Sequence, residues 1–479
     1  MPTSAASAVP VAQEPFARAD RLLALVLGAL VLCLYALTLC RSVYWYDSAE
    51  YVTAAYTLGV AHPPGYPLYI LLARAFLLLP LPPATAVNAL SAVAGAGSAV
   101  LLYALGRELG AARPAAFAAA LLWASAPAVW FNASVAEVYL PGMCFTLAAL
   151  WLLLRAERAG RPLWALAASA LSGAALGVHY SIATCGLGFA WLAVASVRGR
   201  GGVLRGWLLR FALAVLAGAL WVYLYVLLRA SSDAVPNAAR PGSPARLLWL
   251  VSGGNYRQWF SHGPSAARSG ELLGLLGQQL AWAGALLGVA GLAWLVRRQR
   301  TRGLALASAI VGNVAFFYAY RVHDLEVFLL PTVALGCALS ALALSALPAR
   351  GRLPWLGAAA LASLALFRIA GDYEARDLSG FREAHDYGER LVAQLPHRAV
   401  LLNYTTPEEW RRDAVFGMYV KHVLGRRPDV IVVNNAGRAV LDRLLLERRD
   451  VYLYAPLAHV AAEYQLRPEG ELQRIVGRR

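Results

Sequence analysis

Long apolar runs separated by short polar gaps occupy the first 370 residues of the chain. A helix needs about 20 apolar residues to cross the hydrocarbon core of a bilayer, and most of these runs approach that length. The whole chain is 59% hydrophobic and 15% charged, whereas soluble domains are about half apolar and a quarter charged. The pattern predicts an α-helical polytopic membrane protein with about eleven transmembrane helices, near residues 21–40, 87–106, 114–131, 139–155, 163–178, 182–197, 207–228, 272–296, 303–320, 327–347 and 354–370.

Arginine residues fall in alternate gaps between the predicted helices. Gaps rich in Arg or Lys lie on the cytoplasmic side of membrane proteins, so we expect these gaps in the cytoplasm. The net charge of +16 is then a consequence of topology, and no nucleic-acid partner is expected. The basic gaps contain Arg107 and Arg113; Arg155, Arg158 and Arg161; Arg198, Arg200 and Arg205; Arg297, Arg298, Arg300 and Arg302; and Arg350 and Arg352.

The same pattern divides the chain into three parts. Residues 1–20 are expected to be a disordered cytoplasmic N-terminus and residues 21–370 a transmembrane domain, with a first outer loop at 41–66 and a long outer loop at 229–270. An odd number of helices then places residues 371–479 on the outer side. We expect a bacterial inner membrane protein whose outer loops face the periplasm or the exterior.

Beyond residue 371 the composition becomes that of a soluble domain. A charged helical stretch comes first, and short strand-type runs then alternate with helical segments. One of these helices would begin at Thr406-Pro407-Glu408-Glu409, which fits a capping box with proline in the first turn. The sequence therefore predicts a small extracytoplasmic α/β domain. Its helical stretch is residues 380–395, and its predicted strands are residues 399–402, 429–433 and 451–454.

The first outer loop contains two carboxylates three residues apart, Asp47 and Glu50, at the start of a predicted short helix. Side chains with this spacing share one face of a helix. One carboxylate could accept the proton of a hydroxyl group that attacks a sugar carbon, while the other, or a histidine, stabilises charge. The spacing also fits a helix-capping box, and spacing alone does not decide between these interpretations. The run from His62 to Pro67 predicts a stiff turn, either functional or a simple helix stop.

The other outer gaps also contain polar and aromatic residues that could bind a substrate. Each has a simpler explanation by itself, such as a helix cap or an anchor at the membrane interface, but four ionisable residues within 321–326 exceed what anchoring needs. Basic residues of the long outer loop could contact a lipid phosphate. The candidates for substrate binding are His62, Tyr66, Glu137, Tyr139, His179, Arg257, Arg321, His323 and Asp324.

All these candidates fall on the outer side of a topology that was derived from arginine positions alone. A transporter would need polar residues near the middle of the bilayer, where only Gln278, Gln279 and Asn313 qualify. We therefore favour chemistry at the outer membrane boundary over transport. The outer acids and histidines could bind a divalent metal ion, but they lack a tight ligand spacing, so no metal site is predicted.

Several of these motifs resemble a family of membrane proteins known as domain of unknown function 2723. The most specific is the block from Leu58 to Pro67, Leu-Gly-Val-Ala-His-Pro-Pro-Gly-Tyr-Pro. Three motifs depart from the usual family pattern, at Ala49, at Val178 and at 237–241. The other matching motifs are Asp47-Ser48-Ala49-Glu50, Asn88-x-Leu90-Ser91-Ala92, Ala136-Glu137-Val138-Tyr139, Gly177-Val178-His179 and Asp324-x-Glu326-x-Phe328-Leu329-Leu330-Pro331.

The resemblance implies a GT-C type fold and membership of glycosyltransferase family 117, whose animal member is a transmembrane protein O-mannosyltransferase. Enzymes of this type use polyprenyl-phosphate sugars and place an acidic residue in the first outer loop as the base. On this sequence that residue is Asp47, with Glu50 as the alternative. The resemblance also implies membrane lipid, a lipid-linked sugar donor and an extracytoplasmic protein or glycan acceptor as partners, and no certain cofactor.

We therefore predict an inverting membrane glycosyltransferase that transfers mannose or another hexose from a polyprenyl-phosphate donor, with a protein Ser or Thr hydroxyl as the expected acceptor. Two alternatives remain at this point. One is a transporter or lipid flippase whose midplane polar residues line a cavity. The other is an inactive membrane scaffold whose outer α/β domain binds a partner.

Overall fold

The fold is taken from a computed structural model that describes residues 17–198, 204–240, 242–260, 265–322, 324–347, 352–403, 415–434 and 436–479, with the backbone alone at 255, 257, 258, 403 and 434. Helices dominate the part that precedes residue 377. They are α1 (Arg18–Leu37), α2 (Ser48–Thr57), α3 (Pro67–Phe76), α4 (Pro83–Leu109), α5 (Arg113–Ala124), α6 (Pro127–Ala133), α7 (Tyr139–Ala159), α8 (Pro162–Ala175), α9 (Ser181–Thr184), α10 (Gly186–Ala195), α11 (Leu204–Arg229), α12 (Pro244–Val251), α13 (Ala266–Leu280), α14 (Ala283–Arg298), α15 (Arg300–Ala319), α16 (Leu325–Phe328), α17 (Leu330–Ser345) and α18 (Leu353–Arg376), with a 3₁₀ helix at Gly254–Trp259.

Six helices in the described part of the chain are long and apolar enough to cross a bilayer, and the number rises to eight if each of two bent helix pairs is one span. The chain is therefore an integral, multi-pass membrane protein. The six are α1, α4, α7, α11, α15 and α18, and the bent pairs are α5 with α6 and α13 with α14.

Every predicted transmembrane helix coincides with a helix, but fewer than eleven have the length of a full span. Helices α8, α10 and α17 have 14, 10 and 16 residues. At 1.5 Å per residue, ten residues cover about 15 Å of a hydrocarbon core about 30 Å thick. By length and composition, the described helices that can span a bilayer number six to eight, and these shorter apolar helices lie beside them.

One predicted helix, residues 272–296, is two helices that meet at a sharp angle. Helices α13 and α14 are bent by 97° at Ala281 and Trp282, whose φ angles are 54° and 37°. Arg368 of α18 donates to the carbonyls of Gln278 and Gln279, two of the carbonyls that the end of α13 leaves without a helical partner. The apolar pattern continues through the bend, so sequence periodicity does not reveal it.

Ion pairs gather at one end of the bundle and tie its helices together. Asp20 at the start of α1 is fully buried and accepts from Arg107 at 2.7 Å and from Arg113 at 3.1 Å. Nearby helices add the pairs Arg158–Glu108 and Arg302–Glu157, at 3.1 and 2.9 Å. These arginines belong to the predicted cytoplasmic gaps. The candidate site lies beyond the other end of α1, so the two polar clusters occupy opposite ends of the bundle.

The C-terminal part is a small α/β unit with a five-stranded sheet in the order β2-β1-β3-β5-β4. The first three strands are parallel, and the last two form an antiparallel hairpin that the sequence did not predict. The predicted helix start at 406–409 lies outside the described residues. The elements are α19 (Glu383–Ala393), β1 (Val400–Asn403), α20 (Val415–His422), β2 (Ile431–Asn434), α21 (Arg438–Leu446), β3 (Val451–Leu453), α22 (Ala458–Ala461), β4 (Tyr464–Glu469) and β5 (Leu472–Arg478).

Candidate functional site

The first outer loop leads from α1 into the short helix α2, which begins directly after Asp47. Asn88 on α4 fixes the start of this loop, since its amide donates to the carbonyls of Cys40 and Ser42 at 2.6 and 2.9 Å. Asp47 precedes the helix but makes no capping hydrogen bond with its side chain. The Asp-x-x-Glu pattern is therefore not a capping box, and both carboxylates are directed elsewhere.

The carboxylate of Glu50 holds His62 at two points. One oxygen accepts the backbone N–H of His62 at 2.9 Å, and the other lies 2.6 Å from His62 Nδ1. Both side chains are largely buried, with 12% and 7% of their surface exposed. A charge-assisted contact of this kind fixes the orientation of the imidazole ring and directs Nε2 away from Glu50.

Asp47 lies on the other side of the same imidazole. Its Oδ2 is 3.7 Å from His62 Nε2, and its side chain is 20% exposed. Burial raises the pKa of Asp47 to about 6, the charge of His62 opposes that rise, and the charges of Glu50 and Asp324 add to it. Asp47 is thus a carboxylate at neutral pH whose proton affinity is well above that of an exposed aspartate.

Glu137 adds a third carboxyl group to this region. Its backbone N–H and carbonyl both contact the hydroxyl of Ser91 on α4 at 3.3 Å, so the residue is held on both sides. Burial raises the pKa of Glu137 well above its usual range, and the charges of Asp47 and Asp324 raise it further. Burial therefore favours the protonated form of Glu137 more than in an exposed glutamate, and a protonated carboxyl group can donate a hydrogen bond.

A second group of candidates surrounds the start of α7. The Tyr139 hydroxyl donates to Asp324 at 3.0 Å, and its ring lies 5.0 Å from the His179 ring. His179 Nδ1 accepts the backbone N–H of Ser181, and burial lowers the pKa of His179 to about 4. The His179 imidazole is therefore neutral at neutral pH. Its Nε2 is left as a hydrogen-bond donor.

Aromatic residues that the sequence did not single out form one wall of the site. The ring of Tyr51 is 5.7 Å from His62, 5.5 Å from Tyr66 and 5.0 Å from Tyr69. From the long outer loop, the Tyr256 hydroxyl donates to the Pro63 carbonyl at 3.0 Å. The i, i+3 spacing of Tyr66 and Tyr69 across a helix start was the available signal.

The long outer loop and the end of α11 fix the segment between α2 and His62. Arg229 donates to the carbonyls of Leu58 and Thr57 at 2.6 and 3.3 Å. Val60 and Pro236 are joined by a backbone hydrogen bond of 2.8 Å, and a Cβ atom at Gly59 would lie 2.4 Å from the Pro236 carbonyl oxygen. Glycine is therefore required at this position, where the two loops approach closely.

The α/β unit packs against the first outer loop immediately before Asp47. The ring of Trp45 lies 5.5 Å from Phe416, 5.7 Å from Tyr387 and 6.5 Å from Phe381. Helix α2 itself packs against α20. The position of Asp47 thus depends on contacts with the C-terminal part of the chain, which the sequence alone did not indicate.

The remaining predicted residues are less central. Arg321 is exposed at the rim, where its backbone N–H donates to the Trp259 carbonyl at 2.8 Å. His323 and the side chain of Arg257 lie outside the described part of the chain. The structure brings together eight of the predicted residues: Asp47, Glu50, His62, Tyr66, Glu137, Tyr139, His179 and Asp324.

Asp47, Glu50 and His62 each offer a ligand atom within 4.8 Å of the others, so the cluster could hold a metal ion. However, Glu50 and His62 Nδ1 are hydrogen-bonded to each other, which leaves Nε2 and the Asp47 carboxylate as the facing donors. Ions such as Mg²⁺ can bind through one or two carboxylates together with water and substrate phosphate. The cluster is therefore a hydrogen-bonded acid–base group that also offers ligands to a divalent ion.

Comparison with known proteins supports the predicted family resemblance. Residues 47–199 match the family described as Protein O-mannosyl-transferase TMEM260 N-terminal domain. The Protein O-mannosyl-transferase TMEM260 of Mus musculus is 40% identical over 115 residues, which are 23% of this chain. The chain spans only 16% of the length of that curated relative. The resemblance predicted from the motifs is confirmed for this segment, which contains most of the site.

Two solved structures extend the likeness beyond the matched segment. The structure of ArnT from Cupriavidus metallidurans bound to undecaprenyl phosphate has a TM-score of 0.62 and 14% identity, and covers 96% of this chain and 98% of that chain. The Archaeoglobus fulgidus oligosaccharyltransferase in complex with Zn and sulfate has a TM-score of 0.53 and 15% identity, over 86% of this chain and 62% of that chain. The predicted GT-C type fold is confirmed.

Proposed function

We propose that the protein is a membrane glycosyltransferase that transfers a hexose, with mannose as the first candidate, from a polyprenyl-phosphate donor to an extracytoplasmic acceptor, a protein Ser or Thr hydroxyl in the first instance. The observation that carries the proposal is the carboxylate of Asp47, which faces an imidazole that Glu50 holds in place. Likeness of residues 47–199 to a protein O-mannosyl-transferase family supports the reaction class. The similar ArnT was solved with undecaprenyl phosphate bound to it, which supports the donor class.

In the proposed reaction Asp47 is the general base. Its carboxylate takes the proton of the acceptor hydroxyl, and the acceptor oxygen forms a bond with the anomeric carbon of the sugar. The bond between that carbon and the phosphate oxygen breaks, and the lipid phosphate leaves with the electron pair. Attack opposite the leaving group inverts the configuration at that carbon. A base with a pKa of about 6 is ionised at neutral pH and still has useful proton affinity.

The neighbouring residues have supporting roles in this proposal. The imidazole of His62 stabilises the ionised state of Asp47, and Glu50 orients that imidazole. His179 can donate a neutral hydrogen bond from Nε2 to substrate, since its Nδ1 is already an acceptor. Arg321, which is exposed, is our candidate for the cation that contacts the lipid phosphate.

Orientation follows from the distribution of arginines. The ion pairs that involve Arg107, Arg113, Arg158 and Arg302 lie at the end of the bundle opposite Asp47. The positive-inside rule assigns that end to the cytoplasm, so the site would face the periplasm or the exterior. We propose a bacterial inner membrane as the location and residues 371–479 as the extracytoplasmic domain.

The transporter alternative receives little support from the polar residues that suggested it. Asn313 donates to Thr184 and to the Phe328 carbonyl and accepts from Thr332, while Gln279 accepts the backbone N–H of Ala128. The third residue, Gln278, is exposed, whereas Asn313 and Gln279 are buried and have partners within the protein. They act as hydrogen-bonded contacts between helices and do not present free polar groups to a transport path.

The proposal can be tested with the purified full-length protein in lipid nanodiscs. The donor would be polyprenyl-phosphate [³H]mannose, and the acceptor a pool of secreted proteins from cells that lack the gene. Removal of a general base typically lowers the rate about 10²- to 10⁴-fold, so Asp47→Asn should nearly abolish transfer. The matched control is Asp233→Asn, since Asp233 is an exposed aspartate of the long outer loop that pairs with Arg240.

Full activity of both Asp47→Asn and Glu50→Gln would refute the assignment of the base. Mass spectrometry of extracytoplasmic proteins and surface glycans from cells with and without the gene identifies the acceptor. Loss of a hexose from Ser or Thr would identify a protein acceptor, and loss from a glycan would replace that part of the proposal.

A further inference from the structure

A groove on the surface of the bundle lies between α1, α5 and α18, at the end opposite Asp47. Its volume is about 500 Å³, within the range of about 300–1,000 Å³ that is usual for ligand pockets. Helices α1 and α18 are long and apolar enough to cross a bilayer, so the groove faces the acyl chains of the membrane. Apolar side chains form most of its lining, among them Leu23, Phe117, Ala118, Trp355, Ala359 and Ala362.

A cation lies at one end of this groove. Arg113, the first residue of α5, lines the groove, and its side chain is 34% exposed although it pairs with the buried Asp20. Asp20 also accepts from Arg107 at 2.7 Å, so one carboxylate faces two guanidinium groups and this end of the groove keeps a net positive charge. An apolar groove with positive charge at one end matches an amphiphile that has an anionic headgroup.

The start of α18 brings a second arginine to the same end. The backbone N–H of Ala112 donates to the hydroxyl of Ser345, the last residue of α17, at 2.8 Å. Helix α18 follows α17 along the chain, so α5 and α18 begin at the same end of the bundle. Arg352 is exposed directly before α18, three positions ahead of Trp355, and residues three apart share one face of a helix. Arg352 therefore lies on the side of α18 that forms the groove.

We propose that this groove binds an anionic phospholipid of the cytoplasmic leaflet, such as phosphatidylglycerol. The phosphate would lie at Arg113 and Arg352, and one acyl chain would lie along Ala359 and Ala362. From Trp355 to Ala362 the helix rises about 10 Å, which is about two thirds of one leaflet of a hydrocarbon core about 30 Å thick. Basic pockets between transmembrane helices on the cytoplasmic side are typical sites for anionic headgroups.

The position of the groove favours a phospholipid over a polyprenyl phosphate, which has a similar headgroup. In the proposed function the sugar donor binds beside Asp47, at the other end of the bundle. The groove is therefore separate from the proposed site of transfer, and lipid binding can be measured without any catalytic activity. The choice of leaflet rests on the proposed orientation.

The test is native mass spectrometry of the full-length protein in detergent, titrated with dioleoyl phosphatidylglycerol or dioleoyl phosphatidylethanolamine. Each arginine near the headgroup should raise the affinity for an anionic lipid roughly fivefold, so the wild type should prefer phosphatidylglycerol roughly 5- to 25-fold. Arg352→Gln should lower the affinity for phosphatidylglycerol roughly fivefold and leave phosphatidylethanolamine unchanged. The control is Arg205→Gln, since Arg205 is an exposed arginine at the start of α11, outside the groove.

A second variant tests the groove itself and leaves Arg113 in place, because Arg113 also pairs with Asp20. Ala359→Phe puts a ring into the groove and should abolish tight binding of phosphatidylglycerol, whereas Ala360→Phe, at the exposed next position of α18, should bind like the wild type. Equal affinity of the wild type for both phospholipids, or wild-type binding by Ala359→Phe, would overturn the proposal. Tighter binding of undecaprenyl phosphate that Ala359→Phe removes would assign the groove to a carrier lipid and also overturn it.

Discussion

Replacement of His62 by glutamine should move the pH dependence of transfer in a predictable direction. His62 Nε2 lies 3.7 Å from the Asp47 carboxylate, and its charge opposes the rise in the pKa of Asp47 that burial causes. Asp47 can act as a base only when it is deprotonated, so the rate falls as the pH drops through its pKa of about 6. Without the positive charge that pKa rises, and the acid limb of the profile moves to higher pH.

The size of the shift follows from Coulomb's law. Unit charges 3.7 Å apart interact by about 1 kcal/mol in water and about 4.5 kcal/mol at an effective dielectric constant of 20. One pKa unit corresponds to about 1.4 kcal/mol, so the pKa of Asp47 should rise by about one to three units. The ionised fraction at pH 7 would fall from about 90% to between about 50% and 1%, which lowers the rate roughly 2- to 100-fold.

The assay is kcat/KM for polyprenyl-phosphate mannose between pH 5 and pH 9.5, in which His62→Gln should regain activity as the pH rises. The control is His179→Gln, because His179 has a pKa of about 4 and is neutral throughout this range. Its loss can lower the rate but should leave the acid limb in place. An acid limb of His62→Gln that coincides with that of the wild type would refute Asp47 as the base that His62 stabilises.

Two further predictions concern the first outer loop. Trp45→Ala should lower kcat at least about tenfold with little change in donor KM, because it removes three aromatic contacts of about 0.5–1.5 kcal/mol each that position Asp47. The control Trp45→Phe should retain most activity. Equal kcat for Trp45→Ala and wild type would exclude this positioning role. In a cysteine-free background, a membrane-impermeant maleimide should label Tyr46→Cys on intact cells and Arg161→Cys only after permeabilisation. Both positions are exposed, and they lie at opposite ends of the bundle. The reverse labelling pattern would invert the proposed topology.

Much of the fold follows from signals that are local in the sequence. Apolar length located the described helices of the bundle, because it reflects contact with lipid along a single segment. The bend at Ala281 and Trp282 escaped prediction, since the apolar pattern continues through it and Arg368, which contacts the end of α13, belongs to a distant helix. The hairpin of β4 and β5 escaped because Arg and Glu interrupt its alternating pattern.

In the candidate site too, local signals identified some residues, whereas contacts between distant segments were not predictable. Asp47, Glu50 and His62 lie within one short segment, and their motif identified them. The sequence could not show that Glu50 holds His62, because that contact depends on a turn fixed by Arg229 and the long outer loop. Tyr69 and Trp45 were missed for a related reason. Apolar or aromatic residues next to a membrane helix are usually anchors, and only their partners show another role.

An acidic site has a consequence for a substrate that carries a phosphate. Under the proposed function, the carboxylates of Asp47 and Glu50 disfavour a phosphate beside them, so we expect the donor to place its neutral sugar next to Asp47 and its phosphate farther away. Transfer breaks the bond between these two parts and increases the negative charge on the lipid phosphate. Repulsion from the same carboxylates then favours departure of the lipid product into the bilayer. In this arrangement the acidity that limits donor affinity also assists product release.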